Sequence, residues 1–161
     1  TSANALRYAF QTSGNPETRL LLLLQGAAFM AMFRESMGLR PADGPRIDAI
    51  EPMTGVAPNP EALEAIFAAV NQDRMLAARR TLAYLEGGGS PEELLTAARR
   101  LIFLKGNNSH DYKFSSAALE DYYHLSPAWR NRYLATAMFN LRGSGGADNP
   151  LVARTRMALS G

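Results

Sequence analysis

From Leu20 to Phe33 the chain reads LLLLLQGAAFMAMF, apolar on nearly every side of a helix and bounded by Arg19 and Arg34. Elsewhere the apolar positions recur three and four apart. Leu63, Ile66, Phe67 and Val70 make one such stripe, and Met75, Ala78, Leu82 and Leu85 another. Leu94, Leu95, Ala98, Leu101 and Ile102 make a third, and Leu134, Ala137, Met138 and Leu141 a fourth. A helix with one apolar stripe buries that stripe, whereas a helix that is apolar all round needs cover on all sides. The pattern therefore predicts striped helices wrapped around a central, most enclosed helix near the amino end.

Helix starts are written in a repeated dipeptide. Asn15-Pro16, Asn59-Pro60, Ser90-Pro91, Ser126-Pro127 and Asn149-Pro150 each precede a helix-forming stretch. Asn or Ser accepts a hydrogen bond from a free first-turn N–H, and proline at the next position lacks an N–H that had no partner anyway. Ser90-Pro91-Glu92-Glu93 adds the reciprocal glutamate of a capping box. Together with the stripes, these signals predict helices over about 2–11, 16–37, 60–71, 73–86, 91–105, 115–124, 127–142 and 150–158. Gly87-Gly88-Gly89 reads as a helix stop, because no strand precedes it and no Gly-Lys-Ser/Thr follows.

The longest irregular connection is 38–59, with Pro41, Pro45, Pro52 and Pro58. A connection of this length is a structural crossover or a functional loop, and the crossover is the simpler reading. Later links are short, so neighbouring helices are expected to be antiparallel. The expected fold is all-α: one domain over 1–161, an irregular bundle of seven to eight helices with 16–37 at its centre.

Composition narrows the function classes. With 161 residues and 47% apolar side chains, the chain is large enough to bury a core without staples. It has no cysteine, which excludes disulfides, thiolate nucleophiles and an iron–sulfur cluster held by this chain alone. Residues 1–98 carry eight Arg against eleven Asp and Glu, and residues 99–161 nine Lys and Arg against four Asp and Glu. No dense basic run or aromatic-basic motif accompanies that gradient, so no nucleic-acid partner is expected. The fourteen residues from 20 to 33 fall short of the ~30 Å of a bilayer core, so no membrane span is expected either. The start, TSANALRYAF, lacks the basic and apolar regions of a secretion signal. A cytoplasmic location is the expectation.

The candidate chemistry gathers in 107–124. The polar stretch GNNSHDYK reads as a loop, and His110, Asp111 and Lys113 are its catalytic candidates. On the following helix Asp121 and His124 share a face, since residues three apart are neighbours there. A metal site could combine His110, Asp121 and His124. Asp-x-x-His matches only half of a di-iron carboxylate motif, and with Asp in place of Glu. Tyr112, Tyr123 and Trp129 are candidates for stacking on a flat cofactor, although aromatics at helical spacing are mostly core. The simpler reading of 107–113 is a loop whose side chains bond their own backbone and cap the next helix.

The stretch GNNSHDYKFSSAALEDYYHLSPAWRNRYLATAMFNLRGSG, with LAYLEGGGSPEELLTAARRLIFLKG before it, resembles the helical C-terminal region of certain long bacterial proteins, some of which carry an N-terminal Rieske-type [2Fe-2S] domain. The resemblance covers roughly residues 60–160. It implies a part of a larger redox-associated protein or complex and carries over no catalytic residue. Two functions are therefore expected in competition. One is a helical binding or assembly module with a protein partner. The other is an enzyme or a cofactor- or metal-binding subunit with its site at the 107–124 corner.

Overall fold

The computed structural model describes residues 2–38 and 45–160. Among these there is no strand, and the all-α expectation is met by eight helices. They are α1 (Ser2–Thr12), α2 (Pro16–Met37), α3 (Pro60–Ala69), α4 (Arg74–Glu86), α5 (Pro91–Lys105), α6 (Ser109–His124), α7 (Pro127–Ala137) and α8 (Pro150–Ser160). All five Asn-Pro and Ser-Pro signals stand at helix starts. Asn15, Asn59, Ser90 and Asn149 accept from Thr18, Ala62, Glu93 and Val152 N–H at 3.0, 2.8, 3.2 and 3.2 Å, whereas Ser126 makes no such bond. The capping box at Ser90 is half made. Glu93 Oε2 takes its hydrogen bond from Tyr84 Oη at 3.2 Å instead of turning back to Ser90. Gly88 supplies the left-handed turn between α4 and α5, with φ +92°.

The chain forms two compact units, 1–44 and 45–161. In the first, α1 packs along α2 as a hairpin. Phe10 lies under the Arg19 guanidinium at 4.4 Å, and Phe29 stacks on Phe33 at 6.0 Å. A cleft of about 340 Å³ between the helices is lined by Leu6, Phe10, Leu22 and Phe29.

The central position expected for α2 is not what the structure shows. No residue of α2 is buried, and Leu20, Leu21, Leu23, Leu24, Met30, Met32 and Phe33 are each more than half exposed. Apolar character on all sides records a need for cover, and within the first unit α1 alone does not supply it. The length argument against a span also changes. The helix runs to 22 residues, its most apolar 18 have mean hydropathy 1.3, and it is long and apolar enough to cross a membrane by length and composition.

The core lies in the second unit instead. Ile66, Leu82, Leu94, Leu119, Leu134 and Met138 are all fully enclosed, and the α4–α7 and α3–α4 pairs form its most extensive contacts. The 38–59 connection is described from Pro45 onward; residues 39–44, with Pro41, lie outside the described residues. The described part behaves as a structural crossover. A 3₁₀ turn, Ile47–Ala49, leads to Ile50, whose side chain is only 1% exposed. Arg132 on α7 donates to the carbonyls of Ile47, Asp48 and Ile50 at 3.4, 3.2 and 2.8 Å. Arg79 Nε holds Glu51 O, and Met53 N–H returns to Arg79 O.

Two boundaries differ from expectation. The first turn of α6 begins at Ser109, not 115, because Asn108 Oδ1 accepts from His110 and Asp111 N–H at 2.9 and 3.2 Å. At the other end, α7 stops at Ala137 and Met138–Leu141 continue as turns that still bury Met138 and Leu141. The chain must leave the helix there to reach Gly143. That residue passes so close to α3 that a Cβ would fall on Asn71 Oδ1 and lie 2.7 Å from Phe67 O.

Candidate functional site

The 107–124 region can be assembled from its hydrogen bonds. Asp111 Oδ2 accepts from Arg142 Nη2 at 2.6 Å and from Asn107 N–H at 3.0 Å. Arg142 Nη2 also reaches Asn107 Oδ1 at 3.0 Å. Tyr112 Oη donates to Gly106 O at 3.0 Å. Asn149, 8% exposed, donates its amide to the carbonyls of Phe103 and Gly106 at 2.8 and 3.0 Å, and its backbone N–H to Leu104 O at 2.7 Å. Lys105 Nζ bonds Gly146 O and pairs with Asp148 at 3.1 Å. The corner is a polar knot that ties the α5–α6 turn to the 142–149 segment.

Asp111 is consumed by this knot. Burial pushes its carboxyl toward the neutral form, but the Arg142 hydrogen bond and then the Asn107 amide outweigh burial and hold it below the usual carboxylate range. The Asp111 side chain is 10% exposed and that of Arg142 35%, so solvent screens the pair in part. A lowered folded-state pKa contributes stability that is present above the unfolded value of about 3.9 and is lost as pH falls through the folded one. Asp111→Asn is therefore expected to be less stable than the parent at neutral pH, with the gap closing on acidification below about pH 4. Urea unfolding of both proteins across that range checks it.

The proposed catalytic and metal residues do not converge. His110 lies in the first turn of α6 and His124 at its last residue, so about 21 Å of helix separates them. Both are exposed. Asp121 shares the His124 end and accepts from Tyr133 Oη at 3.4 Å. Burial, then the Asp121 charge, pushes the Tyr133 hydroxyl up to about 12. Among the described residues no group of three His, Cys, Asp or Glu side chains could hold a metal ion. Lys113 is exposed in the second turn of α6. Tyr112 and Tyr123 are eleven residues apart on α6, about 16 Å. They serve different neighbours: Tyr112 meets Phe103, and Tyr123 sets its ring edge-on to Tyr122 at 5.2 Å. Trp129, on α7, is 45% exposed.

No protein-family model, curated protein or solved structure matches the chain. Its surfaces must therefore speak for themselves. His110 contributes only its backbone N–H to the Asn108 cap. His110→Ala is expected to shift stability by no more than about 0.5 kcal/mol, read as an unchanged melting curve.

Sequence reasoning did not find a groove of about 1150 Å³ between α3 and α5, floored by Leu63, Phe67, Ala97 and Leu101. Its signal was present in the stripes. Leu63 and Leu101 were assigned to the core, yet both remain half-buried at its edge. Glutamates 61 and 64 on α3 and 92 and 93 on α5 line the groove at its other end from Leu104 and Ser144.

Proposed function

We propose that this chain is a helical assembly module whose α1–α2 hairpin is covered by a companion polypeptide. The observation that carries the reading is the exposure of α2, where seven large apolar side chains are more than half accessible and none is buried. A contiguous apolar surface of that kind marks an interaction site in a stable protein. Protein fits it better than lipid. Although α2 as a whole has the length of a span, Arg19 and Arg34 lie inside its ends, where a bilayer core of about 30 Å would place hydrocarbon. The cleft of about 340 Å³ beside Leu6, Phe10 and Phe29 also offers a recess for a partner side chain. The resemblance of residues 60–160 makes a redox protein the first companion to look for.

A photoreactive residue at Leu24 or Met32 of the full chain, expressed in its native host, tests this. A discrete cross-link to one polypeptide is expected at both positions. Adducts with lipid alone, or no adduct, would overturn the reading.

A further inference from the structure

The geometry points to self-association through α8, with the α8 of one copy seated in the α3–α5 groove of another. Two surfaces that fit each other carry the inference, and both lie within 45–161. The first is α8. Leu151, Val152, Thr155, Ala158 and Leu159 fall on one face at helical spacing, with Arg154 at one edge of that face and Arg156, which also reaches Asp148 Oδ2 at 3.7 Å and stays 71% exposed, at the other. The helix contains no acidic residue and buries none of its side chains. Leu151 is 61% exposed and Leu159 83%. An amphipathic stripe of this form makes sense only against an apolar partner, and among the described residues only Val152 of the stripe is even half-buried.

The second surface is the groove, an apolar trough whose end away from Leu104 carries glutamates from both flanking helices. Glu61 and Glu64 belong to α3, Glu92 and Glu93 to α5, and Arg100 is the one cation along it. None of the four glutamates takes part in an ion pair within the described residues. The eleven residues of α8 span about 16 Å, close to the roughly 15 Å of α3 that forms one wall. A helix laid in such a trough places its apolar face on the floor and an arginine against each wall, the helix-in-groove mode of recognition.

The occupant is another copy's α8 because charge and shape agree on it. Ser144 N–H bonds Phe67 O at the Leu104 end of the trough, and Asn149 roots α8 beside that end, on the carbonyls of Phe103, Leu104 and Gly106. The root is fixed in the knot, so the shaft projects for a neighbour to receive. This pairing is independent of whatever covers α2.

Sedimentation velocity on the full chain and three variants tests it. One variant carries R154E with R156E, the second E61R with E92R so that a glutamate of each wall is inverted, and the third all four. Each pair alone is expected to weaken self-association about tenfold or more, and the fourfold variant to restore it, because like charges across an interface repel and inverted ones pair. Melting curves confirm that each variant is folded, and unchanged Leu24 cross-linking shows that the hairpin surface is untouched. A monomer at every concentration, association insensitive to either pair, or failure of the fourfold variant to recover would each overturn the inference.

Discussion

Met138→Asp unfolds the 45–161 unit. The Met138 side chain is 1% exposed within the apolar core, where a carboxylate finds neither water nor a cation. Leaving such a charge unpaired costs about 3–5 kcal/mol, against a total stability of about 5–15 kcal/mol for an ordinary domain. Circular dichroism is expected to show most of the helical signal lost at 25 °C, or a melting transition lowered by tens of degrees. Leu101→Asp provides the contrast. Leu101 stripes α5 as Met138 stripes the region after α7, but it borders the groove and is only half-buried. Its carboxylate can turn to water, so the cost falls to about 1–2 kcal/mol and the fold persists.

Asn149→Leu is expected to cost about 2–4 kcal/mol. The amide of Asn149 satisfies two carbonyls at the end of α5, and its oxygen caps α8. Leucine keeps the bulk and removes all three bonds, leaving Gly106 O to Tyr112 alone and taking the Asn149 donor from Phe103 O. Asn149→Ser restores only the cap and should recover about 1 kcal/mol of the loss. Midpoints of urea unfolding, with unchanged slope, measure both.

The fold was legible in the sequence to the extent that it was local. A proline that follows a side-chain acceptor carries its structural meaning within four residues, and all five such dipeptides open helices. Stripes at helical spacing named Ile66, Leu82, Leu94, Leu134 and Met138 or their neighbours as core for the same reason. The place of α2 was not legible. Hydrophobicity on all faces states that a segment needs cover and does not say which chain provides it. The capping role of the 107–113 side chains was legible, but not which of them caps: Asn108 Oδ1 starts α6 six residues earlier than the composition suggests. His110 beside Asp111 looked like chemistry. The decisive partner of Asp111 is Arg142, thirty-one residues away, and no local pattern announces a partner at that distance. Asn149 was recognised as a cap, but its hold on Phe103 and Gly106 depends on a turn forty-three residues earlier.

The Arg132 fork has a kinetic corollary. The carbonyls it gathers lie 82 to 85 residues before it along the chain. Closing so wide a circuit sacrifices chain entropy that little else offsets until α7 is seated. The strap around Ile50 therefore docks late and releases early. Losing the guanidinium should quicken the unfolding limb of a chevron while leaving the refolding limb almost where it was.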